Sequence, residues 1–121
     1  MVLVAVDDLL FSSKIRATAK QAGVELAFAR SPQEILDRAR SLKPPLVIFD
    51  LNSGKTDPIR TIAALKSDPA LASIKTLGFV SHVDSSTIAA ARNAGTDQVM
   101  ARSQFAAQLA EILLAGGSGS S

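Results

Sequence analysis

Acidic and amide side chains stand where short apolar runs of this 121-residue chain end. Asp7 and Asp8 follow "VLVAV" (2–6), Asp50 closes "LVIFD" (46–50), and Asn52 lies two residues further on. Carboxylates gathered at one edge repel each other unless a cation or a basic side chain neutralises them. A hard divalent ion such as Mg²⁺, held by one or two carboxylates, waters and a phosphate oxygen, suits such a set. An aspartate neutralised in this way can attack phosphorus and become an aspartyl phosphate. The plainer alternative is that strand-end aspartates only cap the loops and helices that follow them. Spacing alone leaves both open.

Other chemistries find less support. His82, the sole histidine, adjoins Ser81, but a hydrolytic triad needs an orienting acid that one adjacency does not supply. An exposed loop histidine is the simpler reading. No G-x-S-x-G elbow occurs, and no glycine-rich phosphate loop follows the first apolar run. The absence of cysteine excludes disulfides, thiolate metal sites and cysteine nucleophiles. A net charge of +2 from scattered basic residues, with five Phe and no Trp or Tyr, argues against direct nucleic-acid binding. No apolar run approaches the roughly 20 residues that span a bilayer. The start "MVLVAVDDLL" lacks the basic opening of a secretory signal. With 47% hydrophobic and 20% charged residues, the composition is that of one folded domain, expected in the cytoplasm.

The elements that must position these residues alternate along the chain. "VLVAV" reads as a buried strand, and residues 9–22 as a helix with Phe11, Ile15, Ala19 and Ala22 on one face, stopped by Gly23. "VELAFA" (24–29) is a second strand. "SPQEILDRARSL" (31–42) is a helix with Ser31 as N-cap, Pro32 at the first position and Glu34 closing a capping box. After "LVIFD", Asp57-Pro58 starts a third helix that "SDPALASI" (67–74) breaks and extends. "KTLGFV" (75–80), a helix over 84–94 stopped at Gly95, "QVMA" (98–101) and a helix over 103–115 capped by Ser103 complete the series. Five strands separated by helices predict a parallel sheet with helices on both faces, its ligands bound outside the carboxyl ends of the strands. Residues 1–115 form the expected domain, and 116–121 a flexible Gly/Ser tail.

In this order and spacing, "VAVDD", "LVIFDLN" and "AARNAGTDQVMARSQF" resemble the receiver (CheY-like) domain of response regulators in two-component signalling, from Val2 to Leu114. The resemblance implies a single doubly wound, flavodoxin-like sheet in the order 2-1-3-4-5. It makes Asp50 the phospho-acceptor, with Mg²⁺ held by Asp7, Asp8, Asp50 and the backbone carbonyl of Asn52. Val80 falls in frame with the family's Thr or Ser, and Ser81, one residue later, is the substitute hydroxyl. Arg102 stands for the family lysine, Ser103 for the proline after it, and Val99 for the aromatic switch residue. Asp7 matches the second acid of the usual pair and Val6 the first, leaving Asp8 as an extra neighbour. Arginine keeps a permanent charge and can chelate phosphate through two donors.

The implied partners are a histidine kinase or phosphotransfer protein and a downstream protein, with a homodimer through the 84–115 face and no membrane contact. Catalysis would be limited to self-phosphorylation and dephosphorylation of Asp50. Two alternatives stand beside this reading. One is a pseudo-receiver acting through phosphorylation-independent protein contacts. The other is a small flavodoxin-like enzyme or cofactor binder, disfavoured because the acidic "DDLLFSS" (7–13) repels phosphate.

Overall fold

Strict alternation along the strands builds two cores, one on each face of a single sheet. The computed structural model describes residues 1–81 and 84–117. Its strands are β1 (Val2–Ala5), β2 (Leu26–Phe28), β3 (Leu46–Asp50), β4 (Lys75–Val80) and β5 (Gln98–Ala101). All pair in parallel, in the order β2-β1-β3-β4-β5. Between and after them run α1 (Leu9–Ala22), α2 (Pro32–Leu42), α3 (Pro58–Ser67), α4 (Ser85–Asn93), α5 (Arg102–Ala107) and α6 (Leu109–Gly117). The doubly wound, flavodoxin-like order is the one anticipated.

Successive side chains of a strand point to opposite faces. Val2, Val4, Ile48, Leu77 and Phe79 therefore join Phe11, Ile15, Phe105 and Leu113 from α1, α5 and α6. Leu3, Ala5, Val47, Phe49 and Val80 join Ile35, Ala39, Ile62, Leu65 and Ala91 from α2, α3 and α4. Burial on both faces explains why the central strands read as unbroken apolar runs.

Local differences from the sequence reading have physical causes. The third helix is not extended through 67–74, because Pro69 pushes Asp68 into an extended conformation (φ −93°, ψ 116°), and a turn follows. Ser103 is not a cap: the helix begins at Arg102, with Ala101 as a cap that makes no side-chain hydrogen bond. The final helix kinks at Gln108, although the Gln108 and Ile112 N–H groups still donate to carbonyls four residues back, at 3.0 and 2.9 Å. Glu34 Oε1 accepts from Arg30 N–H at 2.8 Å, one residue before Ser31, whose own Oγ accepts from Glu34 N–H as expected. Gly116 and Gly117 continue α6, so the expected tail does not begin there. A Cβ on Gly116 would sit 2.5 Å from Leu46 Cδ2, so this glycine lets α6 close against β3. The rest of the expected tail, 118–121, lies outside the described residues.

Candidate functional site

The carboxyl ends of β1, β3, β4 and β5 deliver Asp7, Asp8, Asp50, Asn52, Ser81 and Arg102 to one edge of the sheet. Asp8 is the N-cap of α1, and its Oδ1 accepts from the Phe11 N–H at 3.1 Å. Its other oxygen accepts from the Arg102 guanidinium at 3.2 Å. The Phe11 amide first, and the Arg102 charge after it, hold the Asp8 carboxyl below its usual range against the opposing pull of burial. Capping and neutralisation thus coincide in one side chain.

Asp50 ends β3, only 7% exposed. Its Oδ1 accepts from the Asn52 N–H at 3.0 Å. Burial pushes its carboxyl upward, the Asn52 amide and Arg102 pull it down, and Asp7 and Asp8 add to the upward push; the net shift is upward. The backbone beyond is anchored, with Leu51 N–H donating to the Phe79 carbonyl at 2.9 Å and Ser53 N–H to the Asp50 carbonyl at 3.1 Å. Gly78 makes room for this loop, since a Cβ there would lie 2.7 Å from Leu51 Cδ1.

Asn52 also works through its side chain, a role the sequence reading did not assign. Its Oδ1 accepts from the Ser81 N–H at 2.7 Å, tying the loop after β3 to the residue that follows β4. Ser81 Oγ in turn accepts from Arg102 at 3.4 Å, a long contact. Val80, in frame with the family hydroxyl, is buried in the core facing α2–α4, and the next residue, Ser81, is the one that contacts Arg102. Val99 packs partly buried against the same core. His82 lies outside the described residues.

Arg102 is the centre of the arrangement. Its guanidinium carbon lies 4.1 Å from the Phe11 ring centroid, in cation–π range. Phe11 meets Phe79 edge-on at 5.2 Å, and Phe79 stacks on Phe105 at 4.7 Å, so the arginine rests on a rigid aromatic base. A hollow of about 560 Å³ opens beside it, with Lys14 and Arg102 as the cations on its wall. The sequence assigns Phe11 only to the core-facing side of its helix and gives Lys14 no role, because their meeting with Arg102 is long-range. A larger groove of about 670 Å³ lies under α6 at the opposite edge, lined by residues such as Lys75, Asp97 and Glu111 rather than by the acids described above.

The residues expected to hold a divalent ion, Asp7, Asp8, Asp50 and the Asn52 carbonyl, stand at the same carboxyl edge of the sheet, with both neighbouring acids felt by Asp50. Among the described residues, no three acidic or histidine side chains form a group that could hold a metal ion. Asp8 is engaged by a helix-capping amide and by a guanidinium, and one oxygen of Asp50 by an amide. Among the described residues Asp7 alone of the three acids keeps a carboxylate without a hydrogen-bond or ion-pair partner. The second oxygen of Asp8 is bonded to Arg102 rather than free for a Mg²⁺ ion. No helix among the described residues is long and apolar enough to cross a membrane.

No family model and no curated protein matches this sequence. Solved structures do. The signal receiver domain of a histidine kinase from Syntrophus aciditrophicus aligns at a TM-score of 0.83 and 18% identity, over 98% of this chain and 90% of that one. The phosphorylated cyanobacterial phytochrome response regulator RcpA aligns at 0.75 and 21%, over 93% and 86%. The Mn²⁺-bound form of the response regulator Rcp1 aligns at 0.74 and 17%, over 92% and 89%. At these identities the likeness is one of fold: the chain has the receiver fold of response regulators.

Proposed function

We propose that this chain is a receiver-type module of two-component signalling that acts through protein contacts independent of phosphorylation. The observation that carries this reading is Arg102, whose guanidinium is bonded to Asp8 and Ser81 and stacked on Phe11. A carboxylate nucleophile needs its own charge and that of the incoming phosphoryl group neutralised together. Here Arg102 is already paired with Asp8, and Val80 offers no hydroxyl to couple a phosphoryl group to the end of β4. Leu9 and Leu10, 64% and 86% exposed, stand beside Asp8 at the start of α1 and supply apolar surface for a protein partner. The partner classes proposed are a histidine kinase or phosphotransfer protein on one side and a downstream protein on the other. A homodimer through the 84–115 face is a further proposed contact.

A second reading keeps Asp50 as phospho-acceptor. It is favoured by the position of Asp50 at the carboxyl end of β3 and by the unpaired Asp7 next to it. One measurement separates the two. The purified chain is incubated with acetyl phosphate and Mg²⁺, and its intact mass is recorded. An unchanged mass supports the phosphate-independent module; a phosphoryl mass gain that disappears in Asp50→Asn overturns it.

A further inference from the structure

We infer that Arg102 is the resident cation of the acid site, and that the chain of contacts Asp8–Arg102–Ser81–Asn52 holds the Ser81 backbone in one position without a divalent ion. This rests on the phosphate-independent reading and adds a mechanism to it.

The geometry is that of a tie across four loops. Arg102, at the end of β5, reaches Asp8 after β1 at 3.2 Å and Ser81 after β4 at 3.4 Å. Ser81 passes the connection on through its N–H to Asn52 after β3 at 2.7 Å, and the Asn52 N–H returns it to Asp50 at 3.0 Å. A planar guanidinium can serve two acceptors in different directions while its face lies on a ring, which a lysine ammonium does not do. The ring is Phe11, fixed in turn by Phe79 and Phe105. Each contact is modest. Together they place a permanent positive charge against Asp8 and within electrostatic reach of Asp50, and pin the Ser81 backbone. Arg102 is a positioning residue here, and the charge it supplies is one that no chelator removes.

The test uses the full chain labelled with ¹⁵N. Mg²⁺ titration of the wild type is expected to leave the amides of Asp7, Asp8 and Asp50 without a saturable shift. Arg102→Ala is expected to produce one, and to speed hydrogen exchange of the Ser81 amide about fivefold, as loss of one modest contact implies. Arg102→Lys separates charge from reach: it keeps the charge, while Ser81 should exchange as fast as in the alanine variant. Asn52→Ala, which leaves Arg102 intact, should release the Ser81 amide without creating Mg²⁺ binding, and it carries the test if Arg102→Ala does not fold. A saturable Mg²⁺ shift in the wild type overturns the inference, as does unchanged Ser81 exchange in both Arg102→Lys and Asn52→Ala. Neither result depends on the phosphodonor experiment, so the inference can fail while the module reading stands.

Discussion

Two cation–carboxylate clusters lie at opposite ends of the same sheet, and they are built to different tolerances. At the amino ends of the strands, Lys66 Nζ donates to the Ile74 carbonyl at 2.7 Å, to Asp97 Oδ2 at 2.9 Å and to the Ala72 carbonyl at 3.3 Å. The same Asp97 oxygen accepts from Thr76 N–H at 2.8 Å and Thr76 Oγ1 at 3.0 Å. The lysine side chain is 17% exposed and all three of its protons are used. At the carboxyl ends Arg102 is 35% exposed, and its bonds are 3.2 and 3.4 Å long. A satisfied, half-buried network stiffens a fold, whereas a looser and wetter one can be rearranged by whatever binds there. The pair therefore separates a weld from an adjustable contact, although both use one cation and one aspartate.

The sharpest break would come at the weld. Lys66→Ala strands Asp97 and leaves two carbonyls unpaired, and urea unfolding should record a loss of about 2 kcal/mol. Arg102→Ala should lose under about 1 kcal/mol by the same measurement, as partly exposed pairs do. Equal losses would erase the distinction between the two ends.

Acid sharpens it further. Burial pulls the Asp97 carboxyl up, but Lys66 and both Thr76 donors outweigh it and leave it lowered. The unfolded chain then binds the proton first, so this stability is full above the unfolded value and is lost as pH falls through the lowered one. Acid unfolding should be steeper in the wild type than in Asp97→Asn. For Asp50 the sign reverses: its raised carboxyl means that ionisation opposes folding above the ordinary carboxylate range. The smallest effect expected is thus a modest gain in unfolding midpoint for Asp50→Asn at neutral pH, and a loss would show that the buried charge is held by more than Asn52 and Arg102.

The fold was legible because its signals are local. "LVIFD" is apolar at every position before its acid, Ser31-Pro32 caps and starts a helix, and Gly23 and Gly95 take the positive φ that stops one. Asp50 was legible for the same reason, as a strand end. What stayed hidden joins distant residues. Nothing near Asp8 announces Arg102, and nothing near Lys66 announces Asp97. Pleat parity sends Val80 to the core facing α2–α4 and leaves Ser81 at the edge, where it meets Arg102. The break at Asp68-Pro69 is legible, since a residue before proline is pushed to extended backbone, but the expected extension beyond it is a turn.

The aromatic base beneath Arg102 has a use beyond support. With no Trp or Tyr, the chain is nearly dark to ordinary fluorescence and near-ultraviolet probes. A guanidinium 4.1 Å from the Phe11 centroid, however, lies in the shielding cone of that ring. The arginine side-chain protons should resonate upfield while the contact is made and drift back when it is lost. The molecule thus carries its own gauge, readable without a label, of whether the cation is seated.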